Sequence, residues 1–255
     1  AERVKEIARA RGRQVTTIIG GPHVSCPGMP KKVVERYPQF DFGVPGEGEL
    51  TIVELIDALE HGASVEDIPN LVYLDDDEPR KTRNRSPLHD MDALPLPAWK
   101  LLPQLDRYYY PAGDNLNRLP SCAIITSRGC PGHCYFCNPR GLGTGFRRHS
   151  AAYIMRMLRH LQQNFGIRDV FIADDMMVAD RDNVLEFCRL MRAARDLDMT
   201  WSVFARVDFV DRELLQEMRR GRCWQVGYGL ESGSETVLKA INKEQSVEQM
   251  ENAIR

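Results

Sequence analysis

No apolar run in this 255-residue chain approaches the ~18 residues of a membrane span, which excludes a helical transmembrane protein. Charge of one sign is also lacking. Lys and Arg number 34 against 36 Asp and Glu, so the formal net charge is −2 and there is no electrostatic footprint for nucleic acid or an anionic membrane. There is no internal repeat and no low-complexity tract. With 43% apolar and 27% charged residues the composition excludes disordered and collagen-like structure. Cysteine comes as seven residues, an odd number with no signal-peptide pattern before it, which argues against a disulfide framework and for a reducing, cytoplasmic setting. The chain opens on Ala1 rather than Met, directly on a helix-like segment, as expected of a piece of a longer chain.

The pattern that is present is α/β. Val4, Ile7 and Ala8 mark a helix over 2–11, and the β-branched run 14–19 reads as a strand stopping at Gly20-Gly21-Pro22-His23. A helix over 31–37 and a strand over 40–44 follow, ending at Pro45-Gly46-Glu47-Gly48-Glu49. Leu50, Val53, Leu55, Ile56 and Leu59 then define a helix closed by Gly62. Residues 63–119 carry dense proline and charge and read as a linker with a small hairpin, Leu71–Leu74 being one strand. From Cys122 the rhythm resumes. Strands over 123–126, 169–173, 200–205 and 224–230 alternate with helices, two of them capped by Asp180 and Asp211. Four βα units with polar residues at the strand ends predict part of a barrel, with ligands at the carboxyl ends. The expected organisation is a domain over 1–62, a linker over 63–119 and a partial barrel over 120–255.

Three cysteines, Cys130, Cys134 and Cys137, fall in Cys130-Pro-Gly-His-Cys134-Tyr-Phe-Cys137 on a loop after a strand. Soft thiolates at this spacing bind an iron–sulfur cluster or zinc. Structural zinc wants four protein ligands, usually as two separated pairs, and no second pair exists here. A 4Fe-4S cube held by three cysteines leaves one iron open.

This arrangement, preceded by Ser127-Arg128-Gly129 and with Phe136 before the third cysteine, resembles the radical S-adenosylmethionine (SAM) superfamily. The resemblance implies that the open iron chelates SAM. One electron then cleaves SAM to methionine and a 5′-deoxyadenosyl radical, which abstracts hydrogen from a substrate. It also implies roles for residues at the strand ends. Asp174 and Asp175 resemble an acidic pair of cobalamin-dependent members. Arg206, and Glu231 in Gly229-Leu-Glu-Ser-Gly-Ser234, match positions that hold SAM, Asp174 is expected to contact SAM with them, and Phe136 matches a contact to its adenine.

The N-terminal part resembles the second half of the cobalamin-binding domain that precedes the barrel in one branch of that superfamily. Gly20, Gly21 and His23, then Gly46 and Glu47, then Leu94-Pro-Leu-Pro97, stand in the expected order. Glycines after strands let a corrin approach the backbone. The implied fold is half of a Rossmann-like cobalamin-binding domain followed by about four units of a (β/α)6 barrel. The implied cofactors are a 4Fe-4S cluster, SAM and cobalamin. The implied reaction is methyl transfer to an unactivated carbon or phosphorus, or a radical ring closure. The implied partners are a small-molecule substrate and an electron donor such as flavodoxin or ferredoxin. Radical methylthiolation and a zinc-stabilised interaction module are the alternatives. Gly141-Leu-Gly-Thr-Gly145 is expected to be a flexible cover for the cluster, and His149 and His160 are expected to be solvated beside Arg147 and Arg159.

Overall fold

The computed structural model describes residues 1–137 and 145–255. Most of the glycine run expected to cover the cluster, 141–144, lies outside the described residues. The described residues divide into two compact units, one over Ala1–Leu88 and one over 89–137 and 145–255.

The first unit runs α1 (Glu2–Ala10), β1 (Ile18–Gly20), α2 (Pro22–Ser25), α3 (Met29–Arg36), β2 (Phe42–Val44), α4 (Glu49–His61), β3 (Val72–Asp75) and β4 (Glu78–Lys81). β1 and β2 are parallel, and β3 and β4 continue the same sheet antiparallel, in the order β1-β2-β3-β4. The hairpin expected between domains therefore extends the first sheet. Its turn is made by Asp76 and Asp77, both left-handed at φ 47° and 64°, as a two-residue hairpin requires. Val44, Leu55, Ala58, Ile68 and Leu71 form the core. Of the strand expected over 14–19 only the end pairs. Thr17 instead anchors the strand's approach by donating its backbone N–H and its hydroxyl to Asp41, at 2.7 and 2.9 Å.

The second unit begins with irregular chain and a short helix, α5 (Leu105–Tyr108), and then runs β5 (Ser121–Ile124), β6 (Ser127–Arg128), β7 (Arg147–Arg148), α6 (Ala151–Phe165), β8 (Asp169–Ile172), α7 (Arg181–Ala193), β9 (Thr200–Ala205), α8 (Arg212–Arg220), β10 (Cys223–Tyr228), α9 (Glu235–Ala240) and α10 (Val247–Ile254). Its main sheet is parallel throughout, in the order β10-β9-β8-β5. Each consecutive βα unit thus adds one neighbouring strand, as right-handed crossovers dictate. Ile154, Met157, Leu158 and Leu161 of α6 and Val184, Cys188 and Met191 of α7 are buried, the faces their spacing marks. Asp180 and Asp211 cap α7 and α8 by accepting from the backbone N–H of Asn183 and Leu214. Trp201 is fully buried, and its indole N–H donates to the Gly221 carbonyl at 2.7 Å.

His149 corrects an expectation. It is buried, its ring stacks on Tyr153 at 3.9 Å, and Nδ1 lies 3.1 Å from Asp92. The cause is the antiparallel pairing of β6 with β7, extended by the His149 backbone N–H donating to the Thr126 carbonyl at 2.8 Å, which turns this side chain inward beside two arginines of the strand. His160, also expected to be solvated, is half-buried with its ring against Trp99 at 5.9 Å.

Candidate functional site

The cysteine loop leaves the main sheet of the second unit beyond the carboxyl end of β5, and its root is clamped. Asp174, just past β8, is buried and accepts from the Thr126 backbone N–H (2.6 Å), the Thr126 hydroxyl (2.5 Å) and the Ser127 hydroxyl (2.7 Å). Burial pushes this carboxyl up, although the hydrogen bonds from Thr126 and Ser127 pull the other way. The oxygens expected near a cofactor are thus engaged with the chain itself. Asp175 next to it is exposed and accepts from the Gly129 backbone N–H at 3.2 Å.

The loop then passes over Arg206, which follows β9. Arg206 is buried. Its Nε and Nη2 grip Asp208 in a two-pronged pair at 2.9 and 2.8 Å, and Nη1 lies 3.4 Å from Cys134 Sγ. The Asp208 hydrogen bond holds the guanidinium's affinity for its proton above the ordinary value, and the sulfurs of Cys134 and Cys130 add to that. Gly132 gives Nη1 its room here, because a Cβ would stand 2.7 Å from it.

A second segment holds the loop from the other side. The Tyr135 backbone N–H donates to the Ile241 carbonyl at 3.0 Å, and the Asn242 side chain donates to the His133 carbonyl at 2.9 Å. Between them, Lys243 is buried with its Nζ 2.9 Å from Glu231 and 5.6 Å from the centre of the Phe136 ring. Phe136 itself is largely exposed. Glu231 sits in a left-handed turn at φ 64°, rare for a residue with a Cβ and common at sites held by their surroundings.

The three thiols share one electrostatic environment. Burial pushes the Cys130 and Cys137 thiols up. Cys130 also feels Cys134 and Asp175, Cys137 feels both other cysteines, and Lys243 pulls Cys137 down. Among the described residues no three His, Cys, Asp or Glu side chains converge as a single ion demands. A cube presents separate iron corners, so it accepts thiolates more widely spread than the ~2.3 Å bonds of one tetrahedral zinc allow. Soft donors on one loop, faced by the buried cations Arg206 and Lys243, fit an anionic cluster.

The structure thus gathers Cys130, Cys134, Cys137, Phe136, Arg206 and Glu231 at one end of the parallel sheet. Asp208, Asn242 and Lys243 belong to the same assembly and went unnoticed in the sequence. Asp208 stands two residues beyond Arg206 at a strand end, a spacing that signals it in retrospect, whereas the strap over 241–245 has no sequence signature.

The first unit carries its own cavity, of about 530 Å3, beyond the end of β2. Gly46, Glu47, Ser25, Asn70, Lys81 and Arg85 are among its lining residues. Gly46 is left-handed at φ 75°, and its N–H donates to the Ser25 hydroxyl at 2.8 Å. Gly20, Gly21 and His23 do not line it, and His23 is exposed on α2. The lining sets Lys31, Lys81 and Arg85 beside Glu47 and Glu49, and Gly46 lets a ligand approach the backbone closely.

Comparison with known proteins agrees with this site. The model of the radical SAM superfamily matches residues 124–255, and the chain belongs to that superfamily. An uncharacterized methyltransferase of Pyrococcus horikoshii is 30% identical over 253 residues, 99% of this chain and 53% of that protein. The anaerobic magnesium-protoporphyrin IX monomethyl ester cyclase of Rubrivivax gelatinosus is 27% identical over 261 residues, 100% of this chain and 45% of the enzyme. The chain therefore spans about half the length of these relatives. Among solved structures, the cobalamin-dependent S-adenosylmethionine radical enzyme OxsB superposes with a TM-score of 0.82 at 19% identity, covering 100% of this chain and 36% of OxsB. That likeness extends the shared fold over both units.

Proposed function

We propose that the chain is the central part of a cobalamin-dependent radical SAM enzyme in which Cys130, Cys134 and Cys137 hold a 4Fe-4S cluster. The observation that carries this is the cysteine loop fixed between Arg206 and the strap over 241–245, with three soft donors facing two buried cations. When bound, the cluster supplies the electron that cleaves SAM to methionine and a 5′-deoxyadenosyl radical. The chain's own residues do the rest. Arg206, locked by Asp208, keeps Nη1 turned to the cysteine loop. Glu231 offers a carboxylate for ammonium or hydroxyl groups of SAM, and Phe136 offers an exposed ring for its adenine. Asp174 holds the root of the loop and leaves ligand contacts to others.

Cobalamin is assigned to the first unit, whose cavity carries Gly46 and Glu47. The arrangement is read as half of a Rossmann-like cobalamin domain followed by part of a barrel. The names of the relatives, a methyltransferase and a cyclase, support a methyl transfer or a ring closure. The reading extends this to methyl transfer to an unactivated carbon or phosphorus, or a radical ring closure, on a small-molecule substrate, and takes a flavodoxin or ferredoxin as the electron donor. A cytoplasmic setting suits such oxygen-sensitive chemistry, and no helix among the described residues is long and apolar enough to cross a membrane.

The test is anaerobic reconstitution with iron and sulfide, followed by iron counting and EPR of the reduced protein with and without SAM. About four irons per chain, lost in Cys134→Ala, with an EPR signal that SAM perturbs, is the expected result. Bound zinc and no cluster would overturn the reading in favour of an interaction module.

A further inference from the structure

We infer that Lys243 sets the reduction potential of the cysteine-bound cluster, with Glu231 as its counterweight. The inference rests on the reading that Cys130, Cys134 and Cys137 hold such a cluster. Lys243 lies in a part of the chain that the sequence did not mark, and its placement is over-determined. Its neighbours Asn242 and Glu244 are both left-handed, at φ 53° and 55°, so the backbone bends sharply on either side of it. The Asn242 side chain and the Ile241 carbonyl bind the cysteine loop at His133 and Tyr135, at 2.9 and 3.0 Å. The Gln245 side chain donates to the Gly229 and Leu230 carbonyls at 3.1 and 3.3 Å. The strap thus joins the cysteine loop to the turn that carries Glu231, and Lys243 points into the joint.

A lysine this buried is expensive unless its charge has a use or a partner. Its partner is Glu231 at 2.9 Å, a side chain about one-third exposed. Gly229 leaves room for the pair against the backbone, since a Cβ there would stand 2.9 Å from the Glu231 carboxylate and 3.2 Å from Lys243 Nζ. The ammonium also faces the Phe136 ring, and its field reaches the Cys137 sulfur. A cluster held by three thiolates becomes more negative by one charge on reduction. A nearby fixed cation stabilises the reduced form, and an anion opposes it, because net charge and exposure are what set these potentials. Lys243 therefore eases uptake of the electron, and Glu231 limits that effect in the absence of SAM.

The two variants Lys243→Met and Glu231→Gln separate this role from simple support. With dithionite as the electron source, an EPR-monitored redox titration of the reconstituted chain is expected to give a more negative midpoint potential for K243M. E231Q shifts the opposite way, and Lys243→Arg stays near wild type. Loosening the strap would admit water in both K243M and E231Q and move both potentials in one direction. Opposite signs at equal iron content establish the inference. Unchanged potentials, or shifts of the same sign, overturn it and leave the cluster reading standing. A wild-type chain that takes up no iron overturns both. Where K243M itself retains no iron, Lys243→Gln takes its place, and the same opposite signs are required.

Discussion

Arg206 Nη1 lies 3.4 Å from Cys134 Sγ across 72 residues of sequence, directly over Gly132. The missing side chain at residue 132 leaves the room in which the guanidinium reaches the sulfur. In Gly132→Ala the new methyl would stand 2.7 Å from Nη1, so Arg206 or the loop must shift. Iron uptake under limiting iron is expected to fall while the thermal midpoint changes little. Gly129→Ala is expected to be worse. That residue is left-handed at φ 84°, where a Cβ costs about 1–2 kcal/mol, and the methyl would collide with the backbone carbonyl of Gly145, which cannot rotate away. Parallel iron assays and melting curves on the two variants check the order.

Asp174→Ala should cost more than its size suggests. It strips the buried Thr126 backbone N–H and the Thr126 and Ser127 hydroxyls of their acceptor. Each buried group left unsatisfied costs about 1–3 kcal/mol. The expected loss is about 3 kcal/mol or more in denaturant unfolding, together with poor cluster incorporation. Asp174→Asn keeps the shape and one acceptor, so it should lose about half as much. Equal stability of D174A and wild type would show that the clamp contributes nothing.

How far the sequence discloses this molecule depends on the range of each interaction. Asp180 and Asp211 are legible as caps because each accepts from an N–H only three residues on. The cysteine spacing is legible because one short loop carries all three sulfurs. The strap is not legible, because the Asn242 contact to His133 spans 109 residues and leaves no periodic trace. Asp174 and Asp175 look equivalent in sequence, yet one is buried and the other exposed, since consecutive residues leaving a strand point to opposite sides. His149 is illegible for the same reason. Its arginine neighbours suggest solvent, whereas the β6–β7 pairing decides its direction.

That histidine gives the pH dependence a sign. Burial holds His149 below the ordinary value of 6.5 despite its hydrogen bond to Asp92. The fold therefore favours the neutral ring. Its contribution to stability is fully present above pH 6.5 and is lost as pH falls through that value towards the folded one. Asp92 is pushed up by burial, but hydrogen bonds from Ser150 and His149 outweigh this and hold it below 3.8, so its contribution persists further into acid. Thermal midpoints of the unreconstituted chain are expected to decline from about pH 6.5 downward. In His149→Gln that first decline should flatten, because glutamine takes up no proton. A variant curve parallel to wild type would assign the decline elsewhere.

Asp208 offers the sharpest separation of support from chemistry. Its carboxylate holds Arg206 through two hydrogen bonds, and the side chains of the pair are only 7% and 16% exposed, in the order Arg206 and Asp208. Removing one member of such a pair leaves a charge buried without its partner, at a cost of about 3–5 kcal/mol, while removing both often costs less. Asp208→Asn and Arg206→Met should therefore each destabilise the chain, and the double variant should be more stable than the sum of the two losses implies. A coupling energy of about 1–3 kcal/mol from the double-mutant cycle is the expected result. The two single variants should nevertheless differ in cluster behaviour. R206M removes the donor beside Cys134, whereas D208N keeps that donor and frees its orientation, so a larger loss of iron in R206M ties Nη1 to the cluster loop. Equal iron loss in both would mean that Arg206 acts only through its grip on Asp208.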